Sequence, residues 1–244
     1  MQNLNGSLVN VSVINPNSQE KFRFFEPTNI QDQRSDSPRR PDVYYRYLEA
    51  TKGIPYGITI KLKDTTKQYS IGIAIDGRGV LEGKKIPDFI EDLAAWTGES
   101  YIFNCGQENG GTLLGWRESQ ENVRQFFFSK PEKSLAGKWE DYSAMGTIVI
   151  AVFRHRDDND EVIPPQPQFT PGTRGLGTGF GQRVRQKVDY THFEPKRIAY
   201  EIFVIKYEDR QTLQKLGIWK PETKEGENRF WPEEQKREFI EFPE

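Results

Sequence analysis

The strongest constraint on this chain is the run of residues 56–75. Tyr56, Ile58, Ile60 and Leu62 alternate with Gly57, Thr59, Lys61 and Lys63, and Tyr69, Ile71, Ile73 and Ile75 repeat that period beyond the turn formers at 64–67. A period of two sends successive side chains to opposite faces of an extended strand. Both runs are expected to be strands, and their short separation predicts an antiparallel hairpin. Two further apolar blocks, residues 126–128 and 148–153, are rich in aromatic and β-branched residues and bounded by turn formers. They read as buried strands of one β-sandwich, with Trp116, Phe126, Phe128, Ile148, Ile150 and Val152 as core candidates.

Sixteen Phe and ten Tyr against two Met suit an aromatic-rich β core better than a helical bundle. The expected fold class is all-β with minor α: an antiparallel β-sandwich of jelly-roll type, with one or two short helices and extended terminal arms. Phe89, Ile90, Leu93 and Trp96 stand at helical spacing within residues 86–96. A second helix is expected over 208–216, with Asp209 near its start and Gly217 as its stop. Residues 43–50 fit either a strand or one or two helical turns. Short strands are expected at 101–103 and 113–116, and longer ones at 184–193 and 200–207. The chain divides into an N-terminal hairpin and extended arm (1–42), a sandwich core (43–218) and an aromatic tail (219–244). Asn15-Pro16-Asn17 turns the first hairpin, and residues 156–175 form an acidic, then Pro-rich connection.

Several stretches resemble an uncharacterised bacterial family of β-rich proteins. They are YGITIKLKDTTKQYSIGIAIDGRGVLEGK, then GWRESQENVRQFFF, Ala136-Gly137 and MGTIVIAVF, with LGTGFGQ, VDYTHFE and YEIFVIKYEDRQTLQKLGI further on. The resemblance covers rather more than half of the chain and is most specific in the hairpin followed by Gly-Trp-Arg. It implies a fold and no activity. Family members tend to carry His where this chain has Phe180, which argues against a metal or acid-base role there.

Composition narrows the chemistry. Lys+Arg (34) and Asp+Glu (36) nearly cancel, which disfavours a general polyanion partner such as nucleic acid. The basic strip of Arg183, Arg185, Lys187, Lys196 and Arg197, near Tyr190 and Phe193, reads as the wet face of a strand rather than a nucleic-acid contact. No apolar run approaches the ~18 residues of a membrane span. The first residues lack the basic and apolar regions of a signal peptide, so the expected location is the cytoplasm, or a particle reached without a leader. Cys105 is the single cysteine and excludes an intrachain disulfide and a cysteine-based zinc site. No motif places His155 or His192 beside it, so it reads as an ordinary strand or loop residue.

Glycines 175, 177, 179 and 181 superficially match a phosphate loop, but such a loop needs a following helix, and QRVRQKVDY has strand character. A bulged strand is the preferred reading. The acidic run 157–161 has the oxygen ligands calcium prefers but not the ligand spacing of an EF-hand. Asp76 with Glu82, or Glu99 with Glu108, would serve as a carboxylate pair only if folding made them converge. No catalytic residue, metal site or cofactor is therefore assigned.

Trp116 and Arg117 admit two readings: a stacked surface pocket for a ligand, or, preferably, a core Trp with Arg117 paired to a neighbouring carboxylate. The expected function is a non-enzymatic structural subunit that assembles with copies of itself, as a filament or virion-like structure. Phe22, Phe24, Trp219, Phe230, Trp231 and Phe239, carried on the terminal segments, are the candidate contact residues, beside Trp116 and Arg117. The alternative is a small β-sandwich module that binds a ligand, protein or glycan near Trp116 or the glycine-rich strand. A hydrolase without a recognisable motif ranks below both.

Overall fold

Val9, Val11 and Val13 alternate with Asn10 and Ser12, and the computed structural model pairs this run antiparallel with the Tyr56–Ile60 alternation, Val11 facing Ile60 and Val13 facing Ile58. The structure describes residues 1–28, 30–32, 41–83, 85, 100–103, 110–154, 175–188 and 199–220. In chain order the strands are β1 (Leu4–Asn5), β2 (Val9–Ile14), β3 (Phe24–Phe25), β4 (Asp42–Glu49), β5 (Pro55–Leu62), β6 (Tyr69–Ile75) and β7 (Arg78–Gly79). There follow β8 (Tyr101–Phe103), β9 (Gly110–Leu113), β10 (Gly115–Arg117), β11 (Asn122–Ser129), the short helix α1 (Leu135–Lys138) and β12 (Thr147–Arg154). The series ends with β13 (Gly177–Arg185), β14 (Glu201–Glu208) and α2 (Arg210–Lys215).

These strands form two sheets. Sheet one runs β1-β2-β5-β11-β10, with β13 on β11 and β9 on β5. Sheet two runs β3-β4-β14-β12-β6-β7, with β8 on β6. Their facing sides share one apolar cluster that joins Val11, Tyr56, Ile58, Trp116, Phe126 and Phe128 of sheet one to Ile71, Ile73, Ile148, Ile150, Phe203 and Tyr207 of sheet two. All six core candidates named from sequence are 3% exposed or less. A second apolar cluster, including Val43, Tyr45, Val149, Phe153 and Ile202, occupies the outer face of sheet two, so β6, β12 and β14 are buried on both faces.

The structure corrects four expectations. First, β5 and β6 do not pair: they lie in opposite sheets, β5 with β2, β9 and β11, and β6 with β12, β7 and β8. The reason lies in the residues between the isoleucines of β6, because Ser70, Gly72 and Ala74 are small and buried too, as a strand covered on both sides requires. Second, the sheets are not wholly antiparallel, since β14 runs parallel to β4 from Glu201↔Asp42 to Glu208↔Glu49. Third, the N-terminal segment is not separate from the core. The turn after β2 forms, with Ile14 bridging Lys21, but the chain then leaves sheet one and Phe24–Phe25 joins β4. Val9, Val11 and Val13 are fully buried. Fourth, where the sequence predicts a strand from residue 184, β13 runs Gly177–Arg185 and residues 186–188 are outside it, while 189–193 lie outside the described residues.

Residues 43–50 resolve as strand β4. The second helix starts at Asp209, whose carboxylate caps Thr212 N (2.9 Å), and ends before Gly217 at φ 69°. Asp76 and Gly77, at φ 51° and 76°, make the two-residue turn that pairs Ile75 with Arg78, the geometry an Asp-Gly hairpin favours. The expected helix at 86–96, Cys105, the acidic run 157–161 and Glu99 with Glu108 all lie outside the described residues. No helix among the described residues is long and apolar enough to cross a membrane.

Candidate functional site

The residues nominated as contact sites are mostly spent on the fold. Trp116 (3% exposed) is held edge-on by Phe126 at 5.5 Å, and Phe24 is 1% exposed. Phe22 packs edge-on against Phe128 at 5.6 Å. Among the described residues Arg117 makes no carboxylate pair; its Nη1 donates to the carbonyls of Ser119 and Gln186, the latter at 2.5 Å, and its Nε and Nη2 have no acceptor among them. Trp219 is half-buried beneath Arg210, whose guanidinium lies 5.3 Å from its ring. Phe230, Trp231 and Phe239 lie outside the described residues.

Four of the buried titratable groups, Asp76, Tyr56, Tyr207 and Glu201, are spent on joining the sheets. Asp76 Oδ1 accepts from Gly146 N (2.8 Å) and Tyr207 OH (2.6 Å), and Oδ2 from Thr178 N (2.7 Å). Because the Tyr207 proton is committed to Asp76, the Thr178 hydroxyl donates to Tyr207 (2.8 Å) and the Tyr56 hydroxyl to Thr178 (2.7 Å). This one-way chain runs from Tyr56 and Thr178 in sheet one to Tyr207 in sheet two and to Asp76 at its hairpin turn. Burial lifts the Asp76 carboxyl to about 6 against the pull of its backbone N–H and Tyr207 donors, and raises both tyrosines well above their usual value. Asp76 is 4% exposed, so the network has the form of an internal bolt, and Glu82 is not among the partners of its carboxylate given above.

A second carboxylate does the same at the other end of β14. Glu201, fully buried, accepts from Leu8 N (2.7 Å) and Val9 N (3.2 Å), fastening the start of β2 to sheet two. Burial is again the main cause that raises its pKa. Gly6 makes room, since a Cβ there would fall 2.6 Å from the Glu201 carboxylate.

The glycine-rich strand has a different use. A Cβ at Gly177 would stand 2.5 Å from Ser134 Cβ, and one at Gly179 would stand 2.7 Å from the Phe127 ring and 3.1 Å from Lys133 O. Bare backbone therefore lets residues 133–134 lie directly on β13. Gly181 and Gln182 together oppose Gln125, because the register shifts between Arg124↔Arg183 and Phe126↔Phe180: this is the expected bulge. No phosphate-loop geometry results, since β13 continues as a strand to Arg185. Arg183 pairs with Glu118 (2.7 Å) and Arg185 with Glu121 (3.6 Å), so carboxylates balance that part of the basic strip.

What this packing leaves outside is a surface patch. Trp139, just after α1, and Phe180, on β13, are 47% and 43% exposed. Lys138 Nζ lies 5.2 Å from the Trp139 ring and 5.7 Å from the Phe180 ring, and Arg78 Cζ lies 4.8 Å from Trp139. Each cation sits within the range at which a ring face attracts positive charge. Trp116 supports Phe180 from beneath at 6.1 Å. The patch spans the seam between the sheets, where Arg117 N donates to Val80 O at 3.2 Å. Among the described residues no carboxylate pairs with Arg78 or Lys138, although Asp141 nearby is taken by Lys85 at 2.8 Å.

The chain matches no family model, curated protein or solved structure. The patch therefore rests on its own geometry. Two exposed rings with two unneutralised cations suit a partner that offers carboxylates beside apolar or aromatic groups. Among the described residues no cluster of His, Cys, Asp and Glu is placed to hold a metal ion. Sequence reading missed Lys138, Trp139 and Arg78, which are separated from Phe180 by long stretches of chain. The available signal was the glycine run, whose missing side chains marked a strand on which another segment must lie.

Proposed function

We propose that this chain is a non-enzymatic β-sandwich subunit of a homo-oligomeric assembly, such as a filament or virion-like structure. Its architecture would be a variant of the jelly-roll plan with one parallel strand pair. Membership of the bacterial family that residues 56–153 and 176–218 resemble is part of the same reading. The observation that carries it is the Arg78–Trp139–Lys138–Phe180 patch. Large rings exposed beside unpaired cations are a contact surface, while the buried carboxylates of Asp76 and Glu201 are consumed in holding the sheets together. Residues 1–25 are built into the sheets of their own chain, so this reading places the subunit contact on the patch rather than on that segment.

Light scattering of the purified chain over a range of concentrations tests this. A mass well above 28.3 kDa that grows with concentration is expected, and a constant 28.3 kDa would overturn the assembly. A second reading, a binding module for a separate ligand, draws on the buried Trp116 indole N–H, which lacks an acceptor among the described residues and lies beside Phe180. A monomer that binds a soluble partner through the patch would favour it.

A further inference from the structure

The character of the patch selects the partner segment, an inference that rests on the assembly just proposed. Trp139 and Phe180 together present two rings that are 47% and 43% exposed, with Lys138 Nζ between them at 5.2 and 5.7 Å. Arg78 flanks Trp139 on β7, its Nη1 donating to Gly83 O at 3.2 Å, and neither cation meets a carboxylate among the described residues. A complementary segment needs carboxylates, apolar or aromatic side chains, and no positive charge of its own, because a Lys or Arg would be repelled.

Residues 238–244, EFIEFPE, have that composition: Glu238, Glu241 and Glu244 alternate with Phe239, Ile240 and Phe242, and no Lys or Arg intervenes. They join the described fold through residues 221–237, a length of chain that spans about 55 Å when extended. That reach lets the segment meet a patch on its own chain or on a neighbour, and the assembly proposed above selects the neighbour. Residues 86–93 have a similar composition, but the chain on either side returns to sheet two at Lys85 and Tyr101, which gives them far less reach.

We infer that residues 238–244 of a second copy lie across Trp139 and Phe180, with their glutamates on Lys138 and Arg78. A contact of this kind is head-to-tail, since patch and segment are different surfaces, and repeats into a ring or an open filament.

Sedimentation velocity on full-length chains tests the pairing. Lys138→Glu, at an exposed position, is expected to raise the midpoint concentration of assembly about tenfold or more, and Lys138→Gln to act in the same direction more weakly. Glu238→Lys with Glu241→Lys should weaken assembly equally, and all three reversals combined should recover it to within about threefold of wild type. Melting curves that match wild type show that each variant is folded. Assembly that withstands both sets of reversals, or weakening that the combination fails to recover, would overturn this partner and leave the assembly standing. A wild-type chain that stays at 28.3 kDa would overturn both.

Discussion

Asp76 shows how a residue that looks catalytic in sequence is used for structure. Its carboxylate accepts from two backbone N–H groups and the Tyr207 hydroxyl at 2.6–2.8 Å, and its backbone N donates to Thr147 O at 2.9 Å. Its folded pKa is displaced upward, from 3.8 to about 6, so the folded state holds this proton more tightly than the unfolded chain does. The contribution from this group is therefore full below pH 3.8 and falls as pH rises through about 6, by about 3 kcal/mol in all. Glu201, also raised, adds to the slope in the same direction. Asp76→Asn tolerates the positive φ and removes the titration. Denaturant unfolding between pH 4 and 7 should show wild-type stability falling more steeply than that of the variant; parallel curves would mean that Asp76 does not titrate in this window.

At the scale of elements, β2 decides whether sheet one exists. It covers the side of β5 from Val9↔Leu62 to Ile14↔Gly57, buries three valines completely, and supplies two N–H donors to Glu201. Deleting residues 1–14 would expose the edge of β5 and leave a buried carboxylate without two of its partners, so the shortened chain should lose its cooperative thermal transition. A deletion that melts like wild type would show that β2 is dispensable. The alternation of β2 and β5, the apolar block of β14 and the capped α2 were legible because each is a local pattern. The sheet assignment of β6 was less so, because Tyr69, Ile71, Ile73 and Ile75 mimic a half-buried strand unless Ser70, Gly72 and Ala74 are weighed as a second buried face. Of the patch only the glycine run was legible, not the residues it brings together. Arg78, Trp139 and Phe180 become neighbours only when α1 settles on the bare backbone of Gly177 and Gly179.

For the whole molecule, polar bolts close the interior and the aromatic patch opens the exterior. Asp76 and Glu201 fasten the two sheets near opposite ends of β14, so these two buried carboxylates have structural duties. The exposed large apolar side chains among the described residues are Met1, Trp139, Phe180 and Leu216, and of these Trp139 and Phe180 share one cation between them. If contact with another copy is what the molecule does, removing those two rings should abolish it at little cost to the fold, because both are largely outside the core. The most direct measurement is light scattering with a thermal melt on full-length Trp139→Ala/Phe180→Ala. The prediction is a mass of 28.3 kDa at concentrations where wild type assembles, with a melting temperature lower by about 3 °C or less. A double variant that assembles as wild type does would contradict the placement of function on this surface.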